Sequence, residues 1–248
     1  MGFLRRIFRS EQQMDPIDLG LLKTDVHSHL IPGIDDGAKT MEDTLDMLRK
    51  FEEMGYQKVI TTPHIMSDFY RNTTSIINDG LEQVREAISN TDLTIKIEAA
   101  AEYYLDFHFR ELIDNGDLLT FGDKHILFEL SFTQEQSGIH EVVFDLVSEG
   151  YKPILAHVER YPFYNSEWDK IEAYRERGCL LQLNINSLSG QYGPHVKRMA
   201  EQLIDRGWID LVGSDCHHMR HLDSMDMLRR NSYVHKIIQQ EGLLNQRL

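Results

Sequence analysis

Cysteine is scarce in this chain of 248 residues, which contains only Cys179 and Cys216. Two cysteines cannot form the disulfide framework of a small secreted protein, so we expect a reducing compartment and a cytoplasmic location. Long apolar runs are missing as well, since none approaches the roughly 20 residues that cross a bilayer. The sequence therefore excludes both a disulfide scaffold and an integral membrane protein.

Basic residues are few, with 26 Lys and Arg against 40 Asp and Glu and a formal net charge of −14. A protein that holds nucleic acid by its phosphates needs a concentrated positive surface, so we expect no nucleic-acid partner. No linker rich in proline, serine or glycine interrupts the chain, and no internal repeat is present. We expect an N-terminal extension over residues 1–20 and one catalytic domain over residues 21–248.

The N-terminal extension stands apart because it mixes bulky apolar residues with Arg5, Arg6 and Arg9. It lacks the long apolar region and the small-residue cleavage site of a secretory signal. One interpretation is a frayed polar tail. The other is a short amphipathic segment that makes a peripheral contact with an anionic membrane or a partner.

Strand and helix patterns alternate along the remainder of the chain. Strands are predicted to begin near residues 24, 58, 94, 126, 153, 180 and 209. Helices are predicted over residues 40–55, 76–89, 139–149, 167–177 and 196–206 and in the tail from residue 222, the first opened by a capping box of Thr40 and Asp43. This alternation indicates a parallel α/β fold, either a barrel or an open sheet. A barrel is favoured because polar residues recur at strand ends and no Gly-rich phosphate loop is present.

Residues able to bind metal follow most of the predicted strands. His27 and His29 lie one residue apart on an extended segment and so point to the same side. The full set, called here the nine ligand residues, is His27, His29, Asp36, His64, Glu102, Glu129, His157, Asp215 and His217. Asp35 stands beside Asp36, and the sequence does not distinguish them. Nitrogen and carboxylate donors without cysteine suit Mn, Fe, Zn or Mg, and this number of donors would serve two or three ions.

Glu129 is informative by itself because it lies within the apolar run from Ile126 to Leu130. A carboxylate buried there is costly unless it is paired or binds metal. We expect Glu129 to bridge two ions; the alternative is a salt bridge to Arg160 or to a lysine.

The motifs follow an order that resembles a known family. Asp-x-His-x-His, Asp-Asp-Gly, Thr-Pro-His, two separate glutamates, Ala-His-x-Glu-Arg and Ser-Asp-x-His succeed one another between Thr24 and Arg220. This series is similar to the polymerase and histidinol phosphatase (PHP) superfamily, and in detail to its bacterial manganese-dependent protein-tyrosine-phosphatase branch, the capsular and exopolysaccharide regulators. The resemblance implies a distorted (β/α)7 barrel with a trinuclear metal centre held by the nine ligand residues.

The resemblance also implies an activity. Arg160 would bind phosphate, and His217 or Asp215 would assist departure of the leaving group through bound water. The expected substrate is phosphotyrosine on protein, in particular on the autophosphorylated, membrane-associated tyrosine kinase of polysaccharide export. Manganese is the expected ion. The chain departs from the family pattern at Val158, where proline is usual, and at His218, where asparagine is more typical.

Several alternatives stay open at this point. The same centre would suit histidinol phosphate or another small phosphomonoester, and a non-catalytic kinase-binding protein is a further reading. An amidohydrolase would need a lysine at a strand end, and none is placed for that role. The Cys-x5-Arg phosphatase mechanism is excluded because Ile185 and Leu222 stand six places after the two cysteines. Cys216 is either a bystander or an oxidation-sensitive neighbour of the site.

Overall fold

The computed structural model describes residues 14–248, which form nine β-strands and eight α-helices joined by short 3-10 helices and loops. The strands are β1 (Thr24–Asp25), β2 (Lys58–Thr61), β3 (His64–Ile65), β4 (Lys96–Ala99), β5 (Glu102–Tyr104), β6 (His125–Glu129), β7 (Lys152–Leu155), β8 (Leu180–Asn184) and β9 (Leu211–Gly213). The helices are α1 (Met41–Glu53), α2 (Thr74–Ser89), α3 (Phe107–Asn115), α4 (Ile139–Ser148), α5 (Trp168–Glu176), α6 (Pro194–Arg206), α7 (Met219–Met227) and α8 (Ser232–Ile238).

The strands pair in parallel throughout. One sheet has the order β1-β2-β4 and the other the order β3-β5-β6-β7-β8-β9. Two residues separate β2 from β3, and two separate β4 from β5. Each of these two pairs is therefore a nearly continuous segment that passes from the first sheet into the second. The seven predicted strand positions are confirmed, and the fold is a mixed α/β fold with a curled parallel sheet.

The curl brings the first strand next to the last. Asp215 donates its backbone N–H to the carbonyl of His27 at 2.8 Å, and His29 donates to the carbonyl of Cys216 at 2.8 Å. At the opposite end of β9, the side chain of Asn245 donates to the carbonyl of Thr24 at 2.9 Å and accepts from the N–H of Val212 at 2.8 Å. Backbone bonds therefore join the two strands near the predicted site, and one buried amide side chain joins them at the far end.

Alternate strand residues belong to two separate apolar clusters, as the two-residue period of a strand requires. Ile126 and Phe128 of β6 pack in the large cluster between sheet and helices, whereas Leu127 packs in a small cluster with Ile60, Ile154 and other strand residues. The small cluster fills the concave side of the sheet. Both faces of the strands are therefore buried, which explains their continuous apolar runs.

The capping box predicted for α1 is confirmed, since Thr40 accepts from the N–H of Asp43 and the Asp43 carboxylate accepts from the N–H of Thr40. No helix is predicted over residues 107–115 from the sequence pattern, whereas the structure has α3 there. Asp106 caps this helix by accepting from the N–H of Phe109 at 2.9 Å. Aromatic residues in its first turn mask the helical pattern because they have high strand propensity.

Residues 1–13 lie outside the described part of the chain, and with them the three N-terminal arginines and the predicted membrane contact. Closer to the domain, Ile17 is buried and exchanges two hydrogen bonds with Arg229. The division at residue 20 stays a prediction. None of the helices in residues 14–248 combines the length and apolar character needed to cross a bilayer.

Candidate active site

The nine ligand residues meet at the carboxyl ends of the strands, where loops leave the sheet. The histidine pair and Asp36 follow β1, and Glu129 ends β6. His64 and Glu102 lie just beyond the ends of β2 and β4, as the first residues of β3 and β5. His157 follows β7, and Asp215 and His217 follow β9. A cavity of about 340 Å³ opens over this cluster. Ligand-capable residues at adjacent strand ends converge in this way because all the strands run in parallel.

Glu102 lies at the centre of the cluster and is fully buried. Its Oε2 lies 3.1 Å from His27 Nε2, 3.3 Å from His29 Nε2 and 3.2 Å from His64 Nδ1. Its Oε1 lies 3.0 Å from His157 Nε2. One carboxylate thus faces four imidazoles.

Glu129 lies beside Glu102 at the edge of the same cluster. Its Oε1 is 3.3 Å from His64 Nδ1, and its Oε2 is 3.8 Å from His157 Nε2. Arg160, the alternative partner considered for Glu129, instead donates to Asp215 Oδ2 at 2.6 Å. Glu102 therefore contacts four of the histidines, whereas Glu129 contacts two of them.

The two neighbouring aspartates have different surroundings. Asp35 accepts hydrogen bonds from His29 Nδ1 at 2.8 Å and from the backbone N–H of His64 at 3.2 Å. Its carboxylate therefore orients these two residues. Asp36 directs Oδ1 at His64 Nε2, 3.5 Å away, and at His217 Nε2, 3.4 Å away. The orientation supports Asp36 as the ligand and assigns Asp35 to the support of His29.

The donors are close enough together to hold ions. In four groups the ligand atoms all lie within 4.8 Å of one another: His29, Asp36, His64 and His217; His27, His29 and Asp215; His27, Glu102 and His157; and His64, Glu102 and Glu129. Among residues 14–248, buried Glu102 Oε2 and His64 Nδ1 have no hydrogen-bond partner despite their neighbours. Nitrogen and oxygen atoms that converge in a buried site without hydrogen bonds fit divalent cations, and this set of atoms suits Mn, Fe, Zn or Mg.

Opposite charges alter the acidity of the cluster. Burial lowers the pKa of His27, but the Glu102 and Asp215 carboxylates outweigh burial and raise it to about 9. Burial likewise opposes the charge on His64 and His217, yet neighbouring carboxylates raise these pKa values to about 10 and about 9. Burial raises the pKa of Glu102, and the histidines around it bring that pKa well below its usual range. Protonated histidines therefore balance the negative charge of the carboxylates when no metal is bound.

Two ligand residues have left-handed backbone conformations. His157 has a φ of +32° and Asp215 a φ of +50°. Such conformations are rare outside glycine and concentrate at functional sites. His157 leads into the 3-10 helix Val158–Arg160, which carries Arg160 into the cavity, and Val158 is buried at its start.

A match to a known family covers the same region. Residues 23–243 match the family model described as capsular polysaccharide synthesis, CpsB/CapC. This chain belongs to the CpsB/CapC family. It is 26% identical over 197 residues to the tyrosine-protein phosphatase YwqE of Bacillus subtilis, covering 79% of this chain and 78% of that protein. It is 25% identical over 215 residues to the tyrosine-protein phosphatase CpsB of Streptococcus pneumoniae, covering 84% and 87%.

The fold matches as well. The chain superposes on one of the crystal structures of YwqE and CpsB, with a TM-score of 0.78 and 24% identity. Those two proteins are described as unique metal-dependent tyrosine phosphatases. The match covers 90% of this chain and 94% of that chain. The predicted membership of the tyrosine-phosphatase branch is confirmed.

Gln182 is a supporting residue that belongs to none of the sequence motifs. Its Oε1 accepts from His27 Nδ1 at 3.1 Å and from the backbone N–H of His157 at 2.9 Å. The first contact leaves His27 Nε2 directed at Glu102, as a metal ligand requires. A glutamine between the leucines of a predicted strand is the sequence signal that could have revealed it, and the structure shows that its side chain is fully buried.

Asn184 supports the opposite side of the site in this CpsB/CapC protein. Its amide donates to Asp215 Oδ2 at 3.0 Å, the oxygen that also accepts from Arg160. Asp25, fully buried, accepts from the N–H and the hydroxyl of Ser214 at 2.8 and 2.9 Å and so fixes the residue before Asp215. Both residues stabilise the loop after β9.

Cys216 is buried and packs its sulfur 3.6 Å from the sulfur of Met47. Burial raises the pKa of its thiol well above the usual value. Thiol reactivity depends on the thiolate and on access, so these surroundings favour the bystander reading of Cys216.

We expect Gln182→Met to lower metal affinity about 10- to 100-fold, because a lost supporting hydrogen bond frees the tautomer and orientation of His27. Competition with a chelator of known affinity measures the change. Gln202→Met, on the exposed face of α6, is the matched control. Equal affinity of the two variants would contradict the role given to Gln182.

We expect metal affinity to rise and metal-free stability to fall as the pH increases from about 7 to 10. The pKa values of His27, His64 and His217 lie at about 9 to 10 in the folded chain, against about 6.5 unfolded. Their ion pairs therefore contribute fully below about pH 6.5, and the contribution is lost as the pH passes through the folded pKa values. An incoming cation must displace the same protons.

Calorimetric titration of the metal-free protein with Mn²⁺, in buffers of different ionisation enthalpy, counts the protons released. At least one proton per ion is expected near pH 7.5. Binding without proton release would show that the histidines are neutral before metal enters.

Proposed function

We propose that this chain is a metal-dependent phosphomonoesterase that removes phosphate from phosphotyrosine on protein. The observation that carries the proposal is a buried cluster of histidines and carboxylates directly beside Arg160, in one cavity of a CpsB/CapC family protein. The relatives named above are tyrosine-protein phosphatases, which supports the same activity here.

Arg160 is the group that would bind phosphate. Its side chain is mostly buried, and although burial lowers the guanidinium pKa, Asp215 raises it above its usual value, so the charge is retained. The 2.6 Å contact with Asp215 fixes the orientation of the guanidinium plane. A planar guanidinium held in this way presents paired N–H donors that match phosphate oxygens.

We infer that the nine ligand residues hold two to three divalent ions, with manganese the expected one. Glu102 would bridge, and the four donor groups described above would supply the individual sites. Bound ions would supply Lewis acidity and a water of lowered pKa. Asp36, rather than Asp35, would complete the set.

The leaving group explains how such a site would select its substrate. A tyrosine phenol has a pKa of about 10 and leaves far more readily than a serine alkoxide. The chain then needs no strong acid of its own. His217 and Asp215 remain predicted to assist the leaving group, and the His217 Nε2 contact with Asp36 supports ligation as their main role.

We further infer that the strands form a distorted (β/α)7 barrel of the PHP type. The backbone bonds between the segments after β1 and β9, and the small apolar cluster on the concave side, support closure. The substrate would be the membrane-associated tyrosine kinase of polysaccharide export, and the reaction would take place in the cytoplasm. Residues 1–20 would make a peripheral contact with the membrane.

The test compares a phosphotyrosine peptide, a phosphoserine peptide and histidinol phosphate as substrates of protein stripped of metal and refilled with Mn²⁺. We expect metal-dependent hydrolysis with preference for phosphotyrosine, and two to three ions bound per chain. Preference for histidinol phosphate would move the protein to small-molecule metabolism. Absence of both metal and turnover would favour the non-catalytic reading.

A further inference from the structure

Two aromatic rings lie beside Arg160 in the cavity. The Phe132 ring centroid is 4.8 Å from the guanidinium carbon and the Tyr192 centroid is 4.4 Å from it. Both side chains line the cavity together with the ligand residues. They bring apolar surface into a site whose other lining residues are charged or imidazole-bearing.

Phe132 is 41% exposed although its ring is well held. It follows β6 by three residues and packs against His157 at 5.4 Å and Tyr161 at 5.5 Å between centroids. The Tyr161 hydroxyl accepts from the N–H of Leu130 at 2.9 Å, which fixes the start of the loop. A fixed, partly exposed phenyl ring at a cavity wall offers surface for another apolar group.

Tyr192 reaches the cavity from a different loop. It lies in a turn between Gly190 and Gly193, whose φ values of +85° and +100° favour glycine. Asn184 donates to the Tyr192 hydroxyl at 3.4 Å and to Asp215 at 3.0 Å. The ring is thus tied to the residues that orient Arg160.

We propose that Phe132 and Tyr192 form an aryl subsite that receives the phenyl ring of the phosphorylated substrate. A phosphate bound by Arg160 faces the ligand residues of the cavity. The ester group attached to that phosphate extends past the guanidinium along the rings of Phe132 and Tyr192. A phenyl ring there stacks on aromatic surface, whereas the short chain of phosphoserine would not fill the space. The assignment rests on the proposed function and adds the residues that select an aromatic ester.

A purely structural role must be separated from this one, because rings against a guanidinium also hold it by cation–π contact. If the rings only positioned Arg160, their loss would weaken every phosphate ligand equally. If they bind the aryl group, their loss would weaken aromatic ligands alone. A pair of non-hydrolysable ligands that differ by one phenyl ring distinguishes the two.

The experiment measures binding of benzylphosphonate and methylphosphonate to the full chain loaded with Mn²⁺, by calorimetry. For Phe132→Leu and for Tyr192→Leu, we expect benzylphosphonate affinity to fall about 2- to 10-fold while methylphosphonate affinity is unchanged. Tyr192→Phe keeps the ring and should retain the aryl preference. Phe144→Leu, at an exposed position of α4, is the matched control.

Equal weakening of both phosphonates, or no weakening of benzylphosphonate, would overturn the aryl subsite. Metal content measured on each variant shows that the site is intact. Failure of the wild-type protein to hydrolyse a phosphotyrosine peptide would remove the proposed function, and that result is obtained separately from the binding ratio.

Discussion

Glu102→Gln is expected to reduce kcat/KM on aryl phosphates by on the order of 10³-fold and to remove at least one metal ion per chain. The carboxylate faces His27, His29, His64 and His157 at 3.0 to 3.3 Å, and Glu129 contacts only two of these four residues. An amide of the same size carries no charge to balance cations. Metal analysis together with steady-state kinetics measures both effects.

Glu141→Gln, on the exposed face of α4, is the control for Glu102→Gln because it makes the same chemical change away from the cluster. Full metal content in the Glu102 variant would mean that the bridging role belongs elsewhere, and Glu129→Gln would then be the next variant to measure.

Arg160→Ala is expected to lower kcat/KM on aryl phosphates by about 10²- to 10³-fold, the effect of removing one preorganised donor to developing charge. Metal content should be unchanged, since Arg160 contacts Asp215 through the oxygen Oδ2, whereas Oδ1 faces His27. Arg160→Lys should recover only part of the loss, because an ammonium lacks the planar pair of donors.

The control for Arg160→Ala is Arg198→Ala on α6, whose guanidinium is exposed and contacts His195. Loss of metal from the Arg160 variant would identify the residue as part of the ligand scaffold instead of the phosphate site. The Glu102 and Arg160 variants together separate metal binding from substrate binding.

The strand positions could be predicted because most of the strands are short apolar runs that are closed or followed by a polar, ligand-capable residue at the same edge of the sheet. Helix α1 could be predicted from its capping box. In contrast, α3 begins with aromatic residues, whose strand propensity obscures the pattern, and its cap Asp106 also binds Ser67 at 2.9 Å in a distant loop. Such a tertiary contact has no local sequence signal.

Among the candidate site residues, the histidines and carboxylates could be predicted from their spacing, but their division of labour could not. Asp35 and Asp36 are identical in chemistry, and only the positions of His29 and His217 distinguish them. The same holds for Gln182, which acts on His27 from a strand 155 residues away in sequence. Those roles depend on three-dimensional placement.

The Asn245 side chain has a consequence for how the protein is made. It joins β1 to β9 at the end of the sheet remote from the site, and its partners Thr24 and Val212 are separated by about three quarters of the chain. A domain synthesised from its N-terminus meets this residue late. The histidine pair after β1 therefore meets Asp215 and His217 only after β9 has been synthesised, so we expect the site to be completed late in folding.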